Sequence, residues 1–215
     1  MRRIVTIISV LLVVALQVAH GATVRGQVTD ASGNPVSHAL VQALERPQSS
    51  TADGIVGSKL NPWVQADDQG RFQLQLAPGR YKLLAKDERD GYPDPLPLLN
   101  EDRTAQFPEI TVSTQDVTDV KIALGQPGGS IFGQVLDSTS GKPVPGAQVL
   151  IVDANDPQAY VKLTTDAFGR FSYTVLSKQL RVSGSARGYA PAGPQQDIHL
   201  AKGEKRQVTI GVKRK

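Results

Sequence analysis

The sequence repeats itself, and no other feature restricts the fold as much. Val24-Arg25-Gly26-Gln27-Val28-Thr29-Asp30 returns as Ile131-Phe132-Gly133-Gln134-Val135-Leu136-Asp137. Gly33-Asn34-Pro35-Val36 returns as Gly141-Lys142-Pro143-Val144, and Ala39-Leu40-Val41 as Ala147-Gln148-Val149. Asp67-Asp68-Gln69-Gly70-Arg71-Phe72 returns as Asp166-Ala167-Phe168-Gly169-Arg170-Phe171, and Gly91-Tyr92 as Gly188-Tyr189. Residues 110–124 map onto 198–212 with a constant offset of 88. Blocks in one order at matched spacing mean two copies of one domain. The copies span 23–124 and 130–215, with Gly125-Gln126-Pro127-Gly128-Gly129 as a short linker at 125–129.

Each copy reads as strands. Phe72, Leu74 and Leu76 alternate with Gln73 and Gln75, and Tyr81, Leu83 and Ala85 form another row. Val120, Ile122 and Leu124 alternate in the same way, as do Val208, Ile210 and Val212. A period of two buries one face and wets the other. Turn residues punctuate the runs, as in Ser32-Gly33-Asn34-Pro35 and Ala77-Pro78-Gly79. No helical period extends over the repeats. Short strands, frequent turns and about 90–100 residues per copy predict an all-β chain of two β-sandwiches.

Ahead of the repeats stands a targeting pattern. Met1-Arg2-Arg3 precedes an apolar run over residues 4–19, shorter than the roughly 20 residues a membrane span needs. Ala19-His20-Gly21-Ala22 follows, with small residues where a signal peptidase cuts. Residues 1–22 are therefore read as a signal peptide, cleaved after Gly21 or Ala22. The mature chain has no later span, and the expected location is periplasmic, extracellular or cell-surface.

The pattern Gly-x-Val-x-Asp, Gly-x-Pro-Val-x-x-Ala-x-Val, Asp-x-x-Gly-x-Phe, Leu-x-Pro-Gly-x-Tyr and Gly-Tyr resembles the carboxypeptidase regulatory-like domain. The resemblance implies a seven-stranded transthyretin-like sandwich in each copy. The first copy carries every block, including Leu76-Ala77-Pro78-Gly79-Arg80-Tyr81. The second has Val175-Leu176-Ser177-Lys178-Gln179-Leu180 there, without Pro or Gly, so its hairpin is expected to turn differently. In this pattern Asp67 and Asp166 accept backbone N–H bonds, Gly70 and Gly169 supply a positive φ, and Phe72 and Phe171 plug the core.

The chain has no cysteine, which excludes disulfides, thiol catalysis and thiolate-bound metal. Its histidines are His20, His38 and His199, too few and too scattered for an imidazole metal centre or a Ser-His-Asp system. Asp67-Asp68 without an oxygen-ligand loop is a poor calcium site. No nucleotide-binding or nucleic-acid motif occurs. The reading is therefore not an enzyme, with no cofactor and no metal.

Binding remains, and the first copy carries two insertions. Val41 to Asp67 spans 26 positions against 17 for Val149 to Asp166, an excess of 9. Tyr81 to Ile110 spans 29 against 18 for Leu180 to Ile198, an excess of 11. Long loops on a rigid sandwich are places for recognition. Trp63, the sole tryptophan, and Tyr92 are expected to stack on a sugar ring, with Asn61, Gln65 and Asn100 bonding its hydroxyls. The competing reading is that both rings pack structurally.

Charge divides unevenly. The first copy has 10 Lys and Arg against 14 Asp and Glu, a net of −4, and residues 125–215 have 12 against 6, a net of +6. This suggests docking of the copies on each other, or a basic tail meeting an anionic envelope polymer. The expected function is an exported binding or structural module of the cell envelope, partnered by a glycan or an envelope protein. The alternatives are a protein-interaction scaffold using exposed sheet edges and a hydrolase with an unrecognised carboxylate site.

Overall fold

The structure, a computed structural model, describes residues 21–46, 59–100, 105–176, 178–190 and 196–215. The apolar run at 4–19 and much of the first inserted loop lie outside the described residues. Among the described residues there is no α-helix, and no helix long and apolar enough to cross a membrane.

The first half contains β1 (Ala22–Thr29), β2 (Leu40–Arg46), β3 (Lys59–Leu60), β4 (Val64–Gln65), β5 (Arg71–Leu76), β6 (Gly79–Lys86), β7 (Glu109–Val112) and β8 (Val117–Ala123). A sheet ordered β5-β1-β8 lies over a sheet ordered β3-β2-β6-β7, with β4 also paired to β2. The second half contains β9 (Gly129–Asp137), β10 (Gln148–Asp153), β11 (Tyr160–Thr164), β12 (Arg170–Val175), β13 (Lys178–Ser185), β14 (Gln196–Leu200) and β15 (Lys205–Val212). Its sheets are β12-β9-β15 and β11-β10-β13-β14. With β3 and β4 counted as one interrupted edge strand, each half is the expected seven-stranded sandwich. In both, the first strand pairs antiparallel with one neighbour and parallel with the last strand.

The alternation of apolar residues explains the cores. Along β5, Phe72, Leu74 and Leu76 are buried while Arg71, Gln73 and Gln75 face water. Phe72 is 4% exposed and Phe171 is 6% exposed. Tyr81, Leu83 and Ala85, then Val120, Ile122 and Leu124, complete the first core, and Val208, Ile210 and Val212 line the second.

The repeated motifs have physical roles. A Cβ on Gly26 would lie 2.1 Å from the Val120 carbonyl oxygen, and one on Gly133 only 1.7 Å from that of Val208. Glycine at this point lets the parallel last strand close on the first. Asp67 Oδ1 accepts the N–H groups of Gln69 (2.9 Å) and Arg71 (2.8 Å). Asp166 does the same for Phe168 and Arg170, both at 2.8 Å. Gly70 and Gly169 each have φ of +69°, the left-handed conformation the turn requires.

The structure corrects one expectation. The link after Leu76 is not a hairpin, because β5 pairs with β1 in one sheet and β6 with β2 and β7 in the other. It is an arch between layers, held by the Tyr81 hydroxyl donating to the Ala77 carbonyl at 3.0 Å. The second half crosses between layers at the same place, from β12 to β13, with Leu180 where the first half has Tyr81. Ser177, on which the expected difference in turn depends, lies outside the described residues.

The halves also differ at their edges. In the first, Pro62 has no N–H to offer β2, and the edge strand is broken at Asn61-Pro62-Trp63. Its counterpart β11 runs unbroken. The β1–β8 ladder slips between Val24↔Val117 and Gly26↔Val120, a bulge in which Asp119 takes φ of +61°. The β9–β15 ladder has no slip.

Candidate functional site

The first insertion ends at the break between β3 and β4. Asn61 is held there by backbone and side chain: its N–H and its Nδ2 both donate to the Ala43 carbonyl, at 3.0 and 3.2 Å. Its own carbonyl accepts from Gln42 Nε2 at 2.6 Å. Trp63 follows, half-buried, with Lys86 Nζ 4.9 Å from the centre of its ring. Lys86 in turn pairs with Asp94 at 2.8 Å. The second insertion therefore reaches the first through Asp94, Lys86 and Trp63, and one face of the indole is occupied by an ammonium group.

Tyr92 behaves as a packed residue. Its N–H and carbonyl pair with Asp87, at 2.8 and 3.0 Å, and its ring leans on the first core. Burial pushes its hydroxyl pKa up, and the charges of Asp30, Asp90 and Asp87 push the same way. Gln65 stays exposed. It lines a groove of about 860 Å³ with Arg25, Gln27, Arg71, Gln73 and Lys121, on the outer face of the β5-β1-β8 sheet. Gln65 alone among the five expected contact residues lines this groove.

Asn100 is in a different place from the one expected. It is 1% exposed, wedged between the two sandwiches. Its Nδ2 donates to the Asp94 carbonyl at 3.1 Å and to the Tyr173 hydroxyl at 2.9 Å, and its Oδ1 accepts from the Leu176 N–H at 3.4 Å. An amide so engaged has nothing left for a ligand hydroxyl, so Asn100 leaves the set of sugar contacts.

Its neighbours form the rest of a joint. Leu99, a first-copy residue, is 0% exposed and belongs to the core of the second sandwich. Lys178 Nζ donates to the Leu99 carbonyl at 2.8 Å and pairs with Asp153 at 3.2 Å. Burial pushes the Asp153 pKa up, but the Asn155 N–H and the Lys178 ammonium outweigh it and hold the carboxyl below its usual range. Burial, with the charges of Asp94 and Glu88, drives the Tyr173 hydroxyl far up, so it stays neutral. Thr174 Oγ1 donates to the Glu88 carbonyl at 3.3 Å.

The expected linker is part of the same joint. Gly128 N–H donates to the Gly91 carbonyl at 2.8 Å, and its own carbonyl accepts from Gly203 at 2.7 Å. A Cβ on Gly128 would lie 1.9 Å from the Val175 carbonyl oxygen. The linker's last residue, Gly129, already belongs to β9. Its glycines serve close approach.

The chemistry at hand is that of contact. Among the described residues no three His, Asp or Glu side chains gather to hold a metal ion. Asp67 is occupied by its turn and by Arg71 at 2.8 Å, while Asp68 meets His38 Nε2 at 3.1 Å.

The family model for the carboxypeptidase regulatory-like domain matches residues 23–125 and again 130–213. The chain belongs to this family. The two matches show the tandem of carboxypeptidase regulatory-like domains that the repeated blocks predict, although the second insertion of the first domain delivers Leu99 into the core of the second. No curated protein matches the chain. Among solved structures, similarity extends to a minor pilin of Streptococcus agalactiae, at 15% identity and a TM-score of 0.40 over 90% of this chain and 96% of that one. The shaft pilin SpaA of Lactobacillus rhamnosus GG gives 11% identity and a TM-score of 0.36 over 89% and 98%. The Bacillus anthracis TIE protein gives 16% and 0.39 over 91% of this chain, which spans 34% of that chain's length.

Sequence reasoning missed the joint because no local signal marks it. Leu99 reads as one apolar residue in a Pro-rich loop. Sequence reasoning also passed over Phe168 as an exposed aromatic: it is 61% exposed, in the domain without insertions.

Proposed function

We propose that this tandem is an exported, non-catalytic module of the cell envelope that holds two sandwiches at a fixed relative position. The observation that carries the reading is Asn100, buried and bonded to both sandwiches. The larger insertion joins domains where a recognition loop would remain open. Two spin labels, one per sandwich, test it. A single narrow distance distribution is expected, broadened by Asn100→Ala; a broad distribution in the unaltered chain would sink the reading.

Export supplies a second test. Ala22 is 2% exposed and lies opposite Leu76 in β1, so cleavage after Gly21 leaves the strand whole, whereas cleavage after Ala22 removes a core residue. Mass spectrometry of the exported product is expected to find Ala22 first, and a retained Met1 would point to an anchor.

A glycan-binding role on the first sandwich is favoured by the groove beside Gln65, whose Arg, Gln and Lys side chains suit sugar hydroxyls, and by the half-exposed Trp63. Trp63→Ala should weaken saccharide binding about tenfold, more than its effect on the melting temperature would account for. A large fall in melting temperature with no ligand found would mark Trp63 as structural.

A further inference from the structure

The far end of the second sandwich carries a cleft that the fold does not require to be basic. It has a volume of about 780 Å³ and is lined by Lys142, Arg187, Arg214 and Lys215 around Tyr189. Three of the cations stand on paired backbone. The Asp137 N–H donates to the Lys142 carbonyl at 2.8 Å, and Lys215 N–H to the Gly188 carbonyl at 3.1 Å. Arg214 pairs with Tyr189 across a β-bridge, its guanidinium 5.8 Å from the ring centre. The basic tail of the sequence is thus a fixed wall of a cleft. Among the described residues none of these four side chains is in an ion pair with a carboxylate. The acid lining the cleft, Asp137, accepts the N–H groups of Thr139 and Ser140, at 2.9 and 3.1 Å, and also feels the charge of Arg214.

The other copy is the control. Positions equivalent to Lys142, Arg187, Arg214 and Lys215 hold Asn34, Asp90, Gln126 and Pro127 in the first sandwich. There the end is closed: a Cβ on Gly91 would lie 3.2 Å from the Gly128 carbonyl oxygen and 3.3 Å from Pro127. At the equivalent Gly188, none of the described residues lies within 4 Å of the Cβ position. The same frame folds with no cation at any of the four places, so the four cations need another explanation.

We infer that this cleft binds an anionic saccharide, one carrying carboxylate or phosphate groups. The cations would meet the charges, with the Tyr189 ring, packed on the second core, as the floor beneath Arg214. A concave site of this volume suits a few sugar units better than a flat protein surface. The inference does not depend on the joint between the sandwiches.

The test uses the full mature chain with three probes: hexagalacturonate for carboxylate, maltose phosphate for phosphate, and maltohexaose as a neutral control. Binding of at least one anionic probe, tighter than that of maltohexaose, is expected. It should weaken by about tenfold or more in the Arg187→Glu/Arg214→Glu double variant, and also as salt rises. Lys59→Glu/Arg80→Glu makes the same change of charge on the first sandwich, outside its groove, and should leave affinity unchanged. Unaltered melting temperatures would show that each variant folds, and Arg214→Gln would replace the double variant if it did not. Failure of both anionic probes to bind at millimolar concentration would overturn the inference. So would equal losses in the two double variants, or self-association through these residues with no saccharide bound.

Discussion

The two sandwiches share one frame and differ in what fills the space outside it. The first has a broken edge strand, a bulge at Asp119 and an insertion that ends inside its neighbour. The second has unbroken ladders, no insertions and a bare, basic far end. Where the second insertion extends the first copy, Leu99 and Asn100 are held by contact with the other copy. Where there is no insertion, charged side chains are left facing water. Identical motifs therefore fix the scaffold, and the residues between them decide what each end touches.

This comparison can be broken in several ways. The largest effect is expected from the plugs that the copies share: Phe72→Ala and Phe171→Ala should each cost about 3–5 kcal/mol in denaturant unfolding. If one is silent, the two cores are not equivalent. Next comes Leu99→Ala, expected to cost about 2–5 kcal/mol. Hydrogen exchange should place that loss in the second sandwich, though the residue lies in the first repeat; a loss confined to the first would contradict the joint. Asn100→Ala should cost about 1–3 kcal/mol, since it strands the polar groups it joins. The Leu176 amide should then exchange faster.

The smallest effect concerns acid. Asp30 is held below its usual pKa by the Asn34 side chain and N–H, and Asp137 by the N–H groups of Thr139 and Ser140. A carboxyl lowered on folding adds stability above its unfolded value, near pH 3.9, and loses it as pH falls through the folded value. The contribution of these two carboxyls should be flat above about pH 5 and fall below it. Asp30→Asn and Asp137→Asn should each flatten that drop, and calorimetry across pH 2–5 checks it. A drop that neither variant changes would show that these turns do not govern acid sensitivity.

The sandwich was legible because its determinants are local or periodic. Phe72, Leu74 and Leu76 announce a strand by alternation, and Asp67 with Gly70 announces a turn by chemistry. Repetition then doubled each signal. The joint was not legible, because burial of Asn100 depends on Tyr173 and Leu176, more than 70 positions away. A polar residue on a long loop reads the same whether it faces a ligand or a second domain. The basic cleft was half legible: the run of cations near residue 215 was visible, but its closure with Lys142 and Arg187 needed the fold.

The parallel pairing of first and last strands has a mechanical meaning. In each sandwich the strand that enters and the strand that leaves lie side by side and point the same way, Val28 beside Ile122 and Val135 beside Ile210. Tension drawn through the chain pulls the start of one strand against the end of the other. The load falls along the strands, so the bonds of the ladder are sheared together and do not unzip one by one. With Gly128 bonded on both sides, there is little slack between the two units to take up the first extension. A chain built this way transmits pull from end to end as a short, stiff link.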